Sequence, residues 1–229
     1  MGAGGVLVPP ATYFQRIQPV LKAHDIPLIC DEVICGFGRT GNLWGAQTVG
    51  CEPDIIVASK SLSAGYFPMG AVLLSKDIDD RVSEACKAWD EFPHGFTAGG
   101  HPVGCAVSLE AIRIIVDEGV LDHVREIAPA FTSHLEALGD HPLVGEARGL
   151  GLMGALELVS DKGAKSHFPG ELRVGERVAR KARDRGIIVR PLGSSVVLAP
   201  PFILSRGQID DMFSIIHEVL GGLAHEMRL

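Results

Sequence analysis

The sequence lacks three features that would each point to a particular class of protein. It has no excess of positive charge, because 28 acidic residues outnumber 21 lysines and arginines and leave a net charge of −7. Nucleic-acid-binding proteins usually carry clustered positive charge, so a nucleic acid is not the expected partner. No apolar run approaches the length of a membrane span, and no basic stretch precedes the short apolar segment at the N-terminus. We therefore predict neither a membrane helix nor a secretory signal.

An even set of cysteines is also lacking. The chain has five cysteines, and they are scattered along its first half. A chain of 229 residues can bury a sizeable core without disulfides. The cysteine content therefore favours a reduced compartment, and we expect a cytoplasmic protein. With 46% hydrophobic and 21% charged residues, the composition is that of an ordinary globular protein of one large or two small domains.

The apolar residues of the first part of the chain indicate alternating strands and helices. Short continuous runs predict strands at residues 28–30, 55–58 and 71–74. Such runs are typical of an α/β sheet that is buried on both faces. Helical spacing predicts helices at residues 10–24, 102–118 and 121–138, the second of them mostly buried.

The pattern changes after about residue 142. Strand-like segments there cover residues 144–158, 187–190 and 196–198, and helical segments cover residues 171–185 and 208–223. The chain is therefore expected to contain part of an α/β domain followed by a smaller α+β unit.

The pattern G-x-G-x-x-G occurs twice, at residues 36–41 and 149–154. A dinucleotide site needs a helix that opens inside the pattern and an acidic residue about 20 positions later. Residues 42–45 open no clear helix, and the second pattern lies in strand-like sequence, so we expect tight turns and close backbone approach instead. The spacings of the cysteines and histidines match no standard zinc module, and no metal is expected.

Two charged residues follow the first two predicted strands, where ligands bind in open α/β sheets. They are Asp31 and Lys60. They could form an ion pair or be two solvated strand ends. Alternatively a cofactor lies between them, with the lysine forming a Schiff base and the carboxylate facing a pyridinium nitrogen. Spacing alone leaves these alternatives open.

The sequence around both residues resembles a known family. The stretch DEVICGFGRTG at residues 31–41 resembles the signature of class III aminotransferases, which use pyridoxal phosphate. The segment EPDII at residues 52–56, followed by Ser59 and Lys60, resembles the lysine segment of the same family. Similar stretches continue in order at residues 65–71, 94–102, 148–151 and 190–193. The resemblance therefore covers the chain nearly end to end.

The resemblance implies a fold and a domain organisation. Residues 1–141 would be a partial large domain of the pyridoxal-phosphate-dependent aminotransferase fold type I, and residues 142–229 a small α+β C-terminal domain. In this family the phosphate cup and an aromatic residue stacked on the cofactor ring precede the aspartate motif. We therefore expect the chain to be the C-terminal fragment of a longer enzyme, inactive by itself, whose full-length form is a homodimer.

The resemblance also implies roles for five residues. Lys60 would form the internal aldimine and carry a proton between the substrate carbon and C4′ of the cofactor. Asp31 would keep the pyridine nitrogen protonated, and Val33 would pack against one face of the ring. Thr97 resembles the threonine that reaches the phosphate of the neighbouring subunit's cofactor. Arg190 matches a mobile arginine that pairs with a substrate carboxylate.

The subgroup is indicated by two departures from the commonest class III pattern. Ile34 stands where many members have glutamine, and residues 92–97 are similar to the amine–pyruvate, or omega-amino acid–pyruvate, transaminases. The implied reaction moves an amino group from an amine donor to pyruvate, a 2-oxo acid. A decarboxylating or mutase member of class III remains an alternative. A non-catalytic truncated product or pseudoenzyme is another.

Overall fold

A computed structural model of the chain describes residues 2–227, apart from the side chain of Ala3. The chain forms two compact units. One consists of residues 9–121, and the other of residues 122–227 together with residues 2–8. No helix within residues 2–227 combines the length and the low charge that a membrane span requires.

The unit of residues 9–121 contains a three-stranded sheet. Its strands, in spatial order, are β1 (Ile29–Asp31), β2 (Ile55–Ala58) and β3 (Ala71–Leu74). β1 runs parallel to β2, with Asp31 in register with Val57, whereas β3 pairs antiparallel to β2. All three predicted strands are confirmed. Because β1 and β2 are parallel neighbours, the residues that follow them emerge at the same edge of the sheet.

Four α-helices accompany this sheet. They are α1 (Tyr13–Ala23), α2 (Gly45–Val49), α3 (Lys76–Cys86) and α4 (Pro102–Asp117). The helices predicted at residues 10–24 and 102–118 are confirmed as α1 and α4. The expectation that no helix opens directly after the first glycine pattern is wrong, because α2 begins at Gly45. The pattern itself forms turns, as expected, with positive φ at Gly38 and Gly41.

The start of α2 depends on a distant carboxylate. Both side-chain oxygens of Glu32 accept hydrogen bonds from backbone N–H groups of this helix, at 2.9 Å from Gly45 and 2.6 Å from Ala46. These groups have no partner within a helix, and Glu32 is buried with 3% of its surface exposed. A short helix is therefore stabilised where the local sequence gives no helical signal.

Two burial expectations for this unit are wrong. Of the residues in β1, β2 and β3, all of which are described, only Ala58 is buried, so this sheet is not covered on both faces. In α4 the buried residues are Gly104, Ser108 and Ile115. Leu109 of the same helix is 68% exposed. The small core of the unit instead gathers Ala58 and Ile115 around Phe37 and Leu62.

The second unit is built on an antiparallel four-stranded sheet in the order β4-β5-β7-β6. Its strands are β4 (Val144–Leu150), β5 (Met153–Leu158), β6 (Arg190–Leu192) and β7 (Ser195–Leu198). The strand-like segment at residues 144–158 is thus a hairpin. The strand predicted at residues 187–190 is wrong for residues 187–189, since β6 begins only at Arg190 and continues beyond the prediction.

Three helices cover this sheet and supply most of the core. They are α5 (Val120–Leu138), α6 (Val174–Asp184) and α7 (Arg206–Met227). Phe131 of α5 meets Phe213 of α7 edge to face, with ring centroids 5.2 Å apart. Because α5 packs into this core, the unit begins before residue 142. The compact unit thus starts earlier than the expected small domain, and the family's own domain boundary between residues 141 and 142 stays a prediction.

The second glycine pattern lies in the β4–β5 hairpin. Gly149 is in register with Gly154. A Cβ atom at Gly149 would lie 2.6 Å from Cδ2 of Leu135 and 2.7 Å from the carbonyl oxygen of Met153. Helix α5 therefore packs directly on the backbone of these strands, and the predicted close approach is confirmed.

Candidate active site

Asp31 and Lys60 lie at the carboxyl edge of two hydrogen-bonded parallel strands. Asp31 is the last residue of β1, and Lys60 follows the end of β2 by two positions. Both side chains are exposed, so a ligand at this edge can reach them. The structure confirms the predicted placement at strand ends and brings the two residues to the same edge of the sheet.

The Asp31 carboxylate is oriented by its own turn. Its Oδ1 accepts a hydrogen bond of 3.0 Å from the backbone N–H of Val33. The neighbouring Glu32 carboxylate is buried against the start of α2. Alternation of the chain thus separates two adjacent acids, of which one anchors a helix and the other stays accessible. Val33 itself is half-buried.

Lys60 has a strained backbone that its neighbours hold in place. Its backbone angle φ is +45°, which lies in the left-handed region that residues other than glycine rarely adopt. Residues held in this conformation are often found at functional sites. Lys60 opens a 3₁₀ turn, Lys60–Leu62. Ser59 Oγ donates a 2.9 Å hydrogen bond to the carbonyl of Met69, and Ser63 Oγ donates one of 2.6 Å to that of Phe67.

The hydrogen bonds of these two serines were not predicted from the sequence, although Ser59 belongs to the segment that resembles the family's lysine segment. The signal that could have found them is their position beside Lys60. Through them the segment that returns to β3 is tied to the strand end that carries the lysine.

Thr97 lies in the connection between α3 and α4, where residues 91–100 are all exposed. The ring of His94 meets those of Phe92 and Phe96 edge to face, with centroids 6.1 and 5.4 Å apart. Among the described residues, no hydrogen bond or ion pair joins Thr97 to Asp31 or Lys60. Its role at a neighbouring subunit stays a prediction.

Arg190 is exposed on the second unit. It is the first residue of β6, which is the edge strand of the sheet. Register places it in one row with Val197, Ala155 and Arg148 of the neighbouring strands. An exposed guanidinium on a sheet edge is accessible to a carboxylate ligand, and its role as a substrate residue stays a prediction.

A polar network that sequence analysis missed lies on the same sheet face as Arg190. Its centre is Glu157, which accepts hydrogen bonds from Ser194 and Ser195, both of 2.5 Å, and from Arg148 Nη2 at 2.9 Å. Arg148 Nε also donates to the carbonyl of Gly5, at 2.8 Å. Burial disfavours the charged form, but the hydrogen bonds and the guanidinium charge outweigh it and lower the pKa of Glu157.

Within the part of the chain that the structure describes, no group of three or more histidine, cysteine, aspartate or glutamate side chains could hold a metal ion.

Comparison with known sequences identifies the family. The profile of the family "Aminotransferase class-III" matches residues 1–220. Gamma aminobutyrate transaminase 1, a mitochondrial protein of Solanum lycopersicum, is 42% identical over 96% of this chain and 43% of its own length. Gamma aminobutyrate transaminase 2 of the same plant is 43% identical over 96% of this chain and 48% of its own length.

Solved structures of aminotransferases are also similar to this chain. An aminotransferase from Vibrio fluvialis, in its PMP-bound form, matches with a TM-score of 0.95 and 53% identity over 99% of this chain and 50% of its own. An omega-aminotransferase from Paracoccus denitrificans matches with a TM-score of 0.96, 53% identity and the same coverage. The chain therefore spans about half the length of the relatives it matches.

These neighbours confirm the expected fold class, a partial domain of the fold type I of pyridoxal-phosphate-dependent transaminases. Pyridoxal phosphate is the cofactor of the family, and one of the Vibrio fluvialis structures is described as PLP-bound. The profile match covers far more than half of the chain. The chain belongs to the class III aminotransferase family.

Proposed function

We propose that this chain supplies the lysine and aspartate part of a pyridoxal-phosphate site in a transaminase. The observation that carries the proposal is the placement of Asp31 and Lys60 at one edge of two adjacent parallel strands. Similarity to omega-aminotransferases and gamma-aminobutyrate transaminases supports it. The proposed reaction moves an amino group from an amine or omega-amino acid to pyruvate.

The residues present fit the cofactor. A primary amine at Lys60 suits an aldehyde, and the accessible carboxylate of Asp31 suits a protonated pyridine nitrogen. The half-buried Val33, next to the turn that orients Asp31, offers an apolar surface for a ring face. When bound, pyridoxal phosphate supplies an electron sink that allows an amino group to be exchanged for a carbonyl oxygen.

Each residue then has a defined task. Lys60 Nζ holds the cofactor and, once released, carries the proton at the substrate carbon. Asp31 holds the proton on the ring nitrogen through a charge-assisted hydrogen bond. Arg190 binds a substrate carboxylate with two parallel hydrogen bonds, for which a guanidinium is suited. Thr97 reaches the phosphate of the cofactor that the partner subunit holds.

We also propose how the complete enzyme assembles and whether this chain is active alone. Exposed apolar residues on α4, with Leu109 68% exposed, support a homodimer in the complete enzyme. Because the chain spans about half the length of its relatives, we propose that it is inactive without the remaining part of the site. The proposed location is the cytoplasm.

Chemical trapping tests the central assignment without an activity assay. The complete protein is incubated with pyridoxal phosphate, reduced with borohydride, digested and analysed by mass spectrometry. We expect the label on the peptide that contains Lys60, and its loss in Lys60→Ala. Lys76→Ala is the control, because Lys76 is an exposed lysine that forms an ion pair with Asp80 on α3.

Two results would contradict the assignment. One is a label spread evenly over surface lysines in the wild-type protein, which would favour a non-catalytic protein. The other is full transamination by Lys60→Ala in the complete protein. The isolated chain serves as the negative control, and turnover of an amine with pyruvate by that chain would overturn the proposed inactivity.

A further inference from the structure

Two thiols lie in contact beside the candidate active site. Cys30 Sγ and Cys51 Sγ are 3.1 Å apart, and both cysteines are free. Cys30 is the middle residue of β1, directly before Asp31, and Cys51 lies between α2 and β2. The backbone N–H of Cys51 donates a 2.9 Å hydrogen bond to the carbonyl of Ala46, which fixes the position of this residue after α2.

This pair is distinct from the other cysteines. Cys35, Cys86 and Cys105 have no sulfur partner among the hydrogen bonds of the described residues. A covalent S–S bond is about 2.0 Å long, so the two sulfur atoms need to approach by only about 1 Å. Both residues belong to the same compact unit, so closure requires no movement of one unit against the other.

We propose that Cys30 and Cys51 form a reversible disulfide when the protein meets a peroxide. The Cys30 thiolate attacks one peroxide oxygen, breaks the O–O bond and becomes a sulfenic acid, while the other oxygen leaves as an alcohol or water. The Cys51 thiol then attacks the Cys30 sulfur and displaces the hydroxyl group as water. The two thiols lose two electrons and two protons in total, and the peroxide is reduced.

The surroundings decide the order and speed of these steps. Cys30 is half-exposed whereas Cys51 is buried, so a small oxidant meets Cys30 first. Burial raises the pKa of Cys30 to about 12 and also raises that of Cys51, with the neighbouring Glu32 acting in the same direction on both thiols. The thiolate is therefore scarce near neutral pH. Below the pKa the rate of oxidation should rise about tenfold for each unit by which the pH is raised, because the thiolate fraction rises in proportion.

The disulfide has a local structural consequence. It joins β1 to the segment that enters β2 and closes a loop that contains Asp31 and the helix held by Glu32. The strand end that carries the candidate cofactor residue is thereby cross-linked to the neighbouring part of the sheet.

Thiol counting and peptide mapping test the proposal on the chain as it is. The folded chain is exposed to hydrogen peroxide at several pH values, quenched with catalase, denatured and alkylated. We expect free thiols to fall from five to three, with the loss of two hydrogen masses and one linked peptide pair that contains Cys30 and Cys51. A dithiol reductant should restore all five.

Variants and a denatured sample provide the controls. Cys35→Ser should form the same linked pair, because Cys35 is a buried cysteine of the same unit without a sulfur partner. Cys51→Ser should lose the linked pair and leave a sulfenic acid at Cys30 that dimedone traps. In denaturant the specific pair should disappear among random pairings. The proposal is overturned if the wild-type thiols survive treatment, if they are lost without this linked peptide, or if the denatured chain gives the same pair.

Discussion

At the scale of single residues, Gly149 illustrates a glycine that is required by packing. We predict that Gly149→Ala lowers the free energy of unfolding by about 1–3 kcal/mol, the usual cost of forcing an atom into a packed region. The added methyl group would meet Cδ2 of Leu135 at 2.6 Å and the backbone oxygen of Met153 at 2.7 Å. A backbone oxygen in a hairpin cannot move aside cheaply. Urea unfolding followed by circular dichroism measures the change.

A glycine in open space gives the matched control. Gly221 lies inside α7, and a Cβ atom there meets nothing within 4 Å. Gly221→Ala should therefore raise the free energy of unfolding by about 0.5–1 kcal/mol, since alanine is the better helix former. Equal shifts for both substitutions would show that glycine at residue 149 is not required by packing.

Some residues of the candidate site could be identified from the sequence, whereas others are shown only by the structure. Asp31 and Lys60 could be found because each follows an apolar strand and carries a family motif. The role of Glu32 could not be found in this way, because its partners are decided by how the chain folds back on itself. The carboxylate of Glu32, for example, meets backbone groups 13 and 14 positions later. Contacts of this kind have no signature in local spacing.

At the scale of elements, one carboxylate attaches the β6–β7 hairpin to β5. Glu157 of β5 accepts hydrogen bonds from Ser194 in the hairpin turn and from Ser195 at the start of β7. We predict that Glu157→Gln lowers the free energy of unfolding at neutral pH by about 1.5–3 kcal/mol, the range for hydrogen bonds to a charged group. The amide keeps the shape but loses the charge that Arg148 and the serines stabilise.

The pH dependence gives this prediction a sign. In the folded protein the pKa of Glu157 lies below its ordinary value of 4.5, so folding favours the ionised form. The stabilisation is complete above pH 4.5 and is lost as the pH falls through the lower folded pKa. The difference between wild type and Glu157→Gln should therefore shrink in acid. Chemical unfolding between pH 3 and 7 measures it.

Glu146 provides the control for Glu157. It contacts the same Arg148, at 3.0 Å, but its side chain is 60% exposed. Exposed ion pairs contribute little, so Glu146→Gln should change the free energy of unfolding by less than about 1 kcal/mol at any pH. Equal losses in both variants would show that the hydrogen bonds from the hairpin do not matter.

The sequence predicted the ends of a helix or strand well where the element has a clear apolar pattern of its own. The apolar runs predicted both ends of β2 and β3 correctly. The helical spacing predicted the start of α5 to within one residue. Helix α3 was missed because its sequence is strongly polar, although Ser75 caps it and Asp77 and Asp79 occupy its first turn. The range predicted for β6 was shifted towards the N-terminus, because this edge strand of three residues is defined by its pairing with β7 rather than by a pattern of its own.

At the scale of the whole molecule, the unit of residues 9–121 exposes much of its apolar surface. Large apolar side chains that are more than half exposed include Tyr66, Trp89, Phe92, Phe96, Val103 and Leu109. Helix α4 has the composition of a buried helix, yet few of its residues are buried. Soluble monomers rarely leave contiguous apolar surface uncovered, so we expect another protein surface to cover this one.

We predict that the chain self-associates through α4 and that Leu109→Arg weakens this association at least about tenfold, because a charge would be moved into an apolar contact. Sedimentation velocity over a range of protein concentrations measures the effect. Ile203→Arg is the matched control, because Ile203 is 80% exposed but belongs to the other unit, and it should leave the association unchanged. If both variants weaken association equally, the contact is non-specific. If the wild-type chain stays monomeric, exposure of α4 does not by itself drive pairing, and the prediction is wrong.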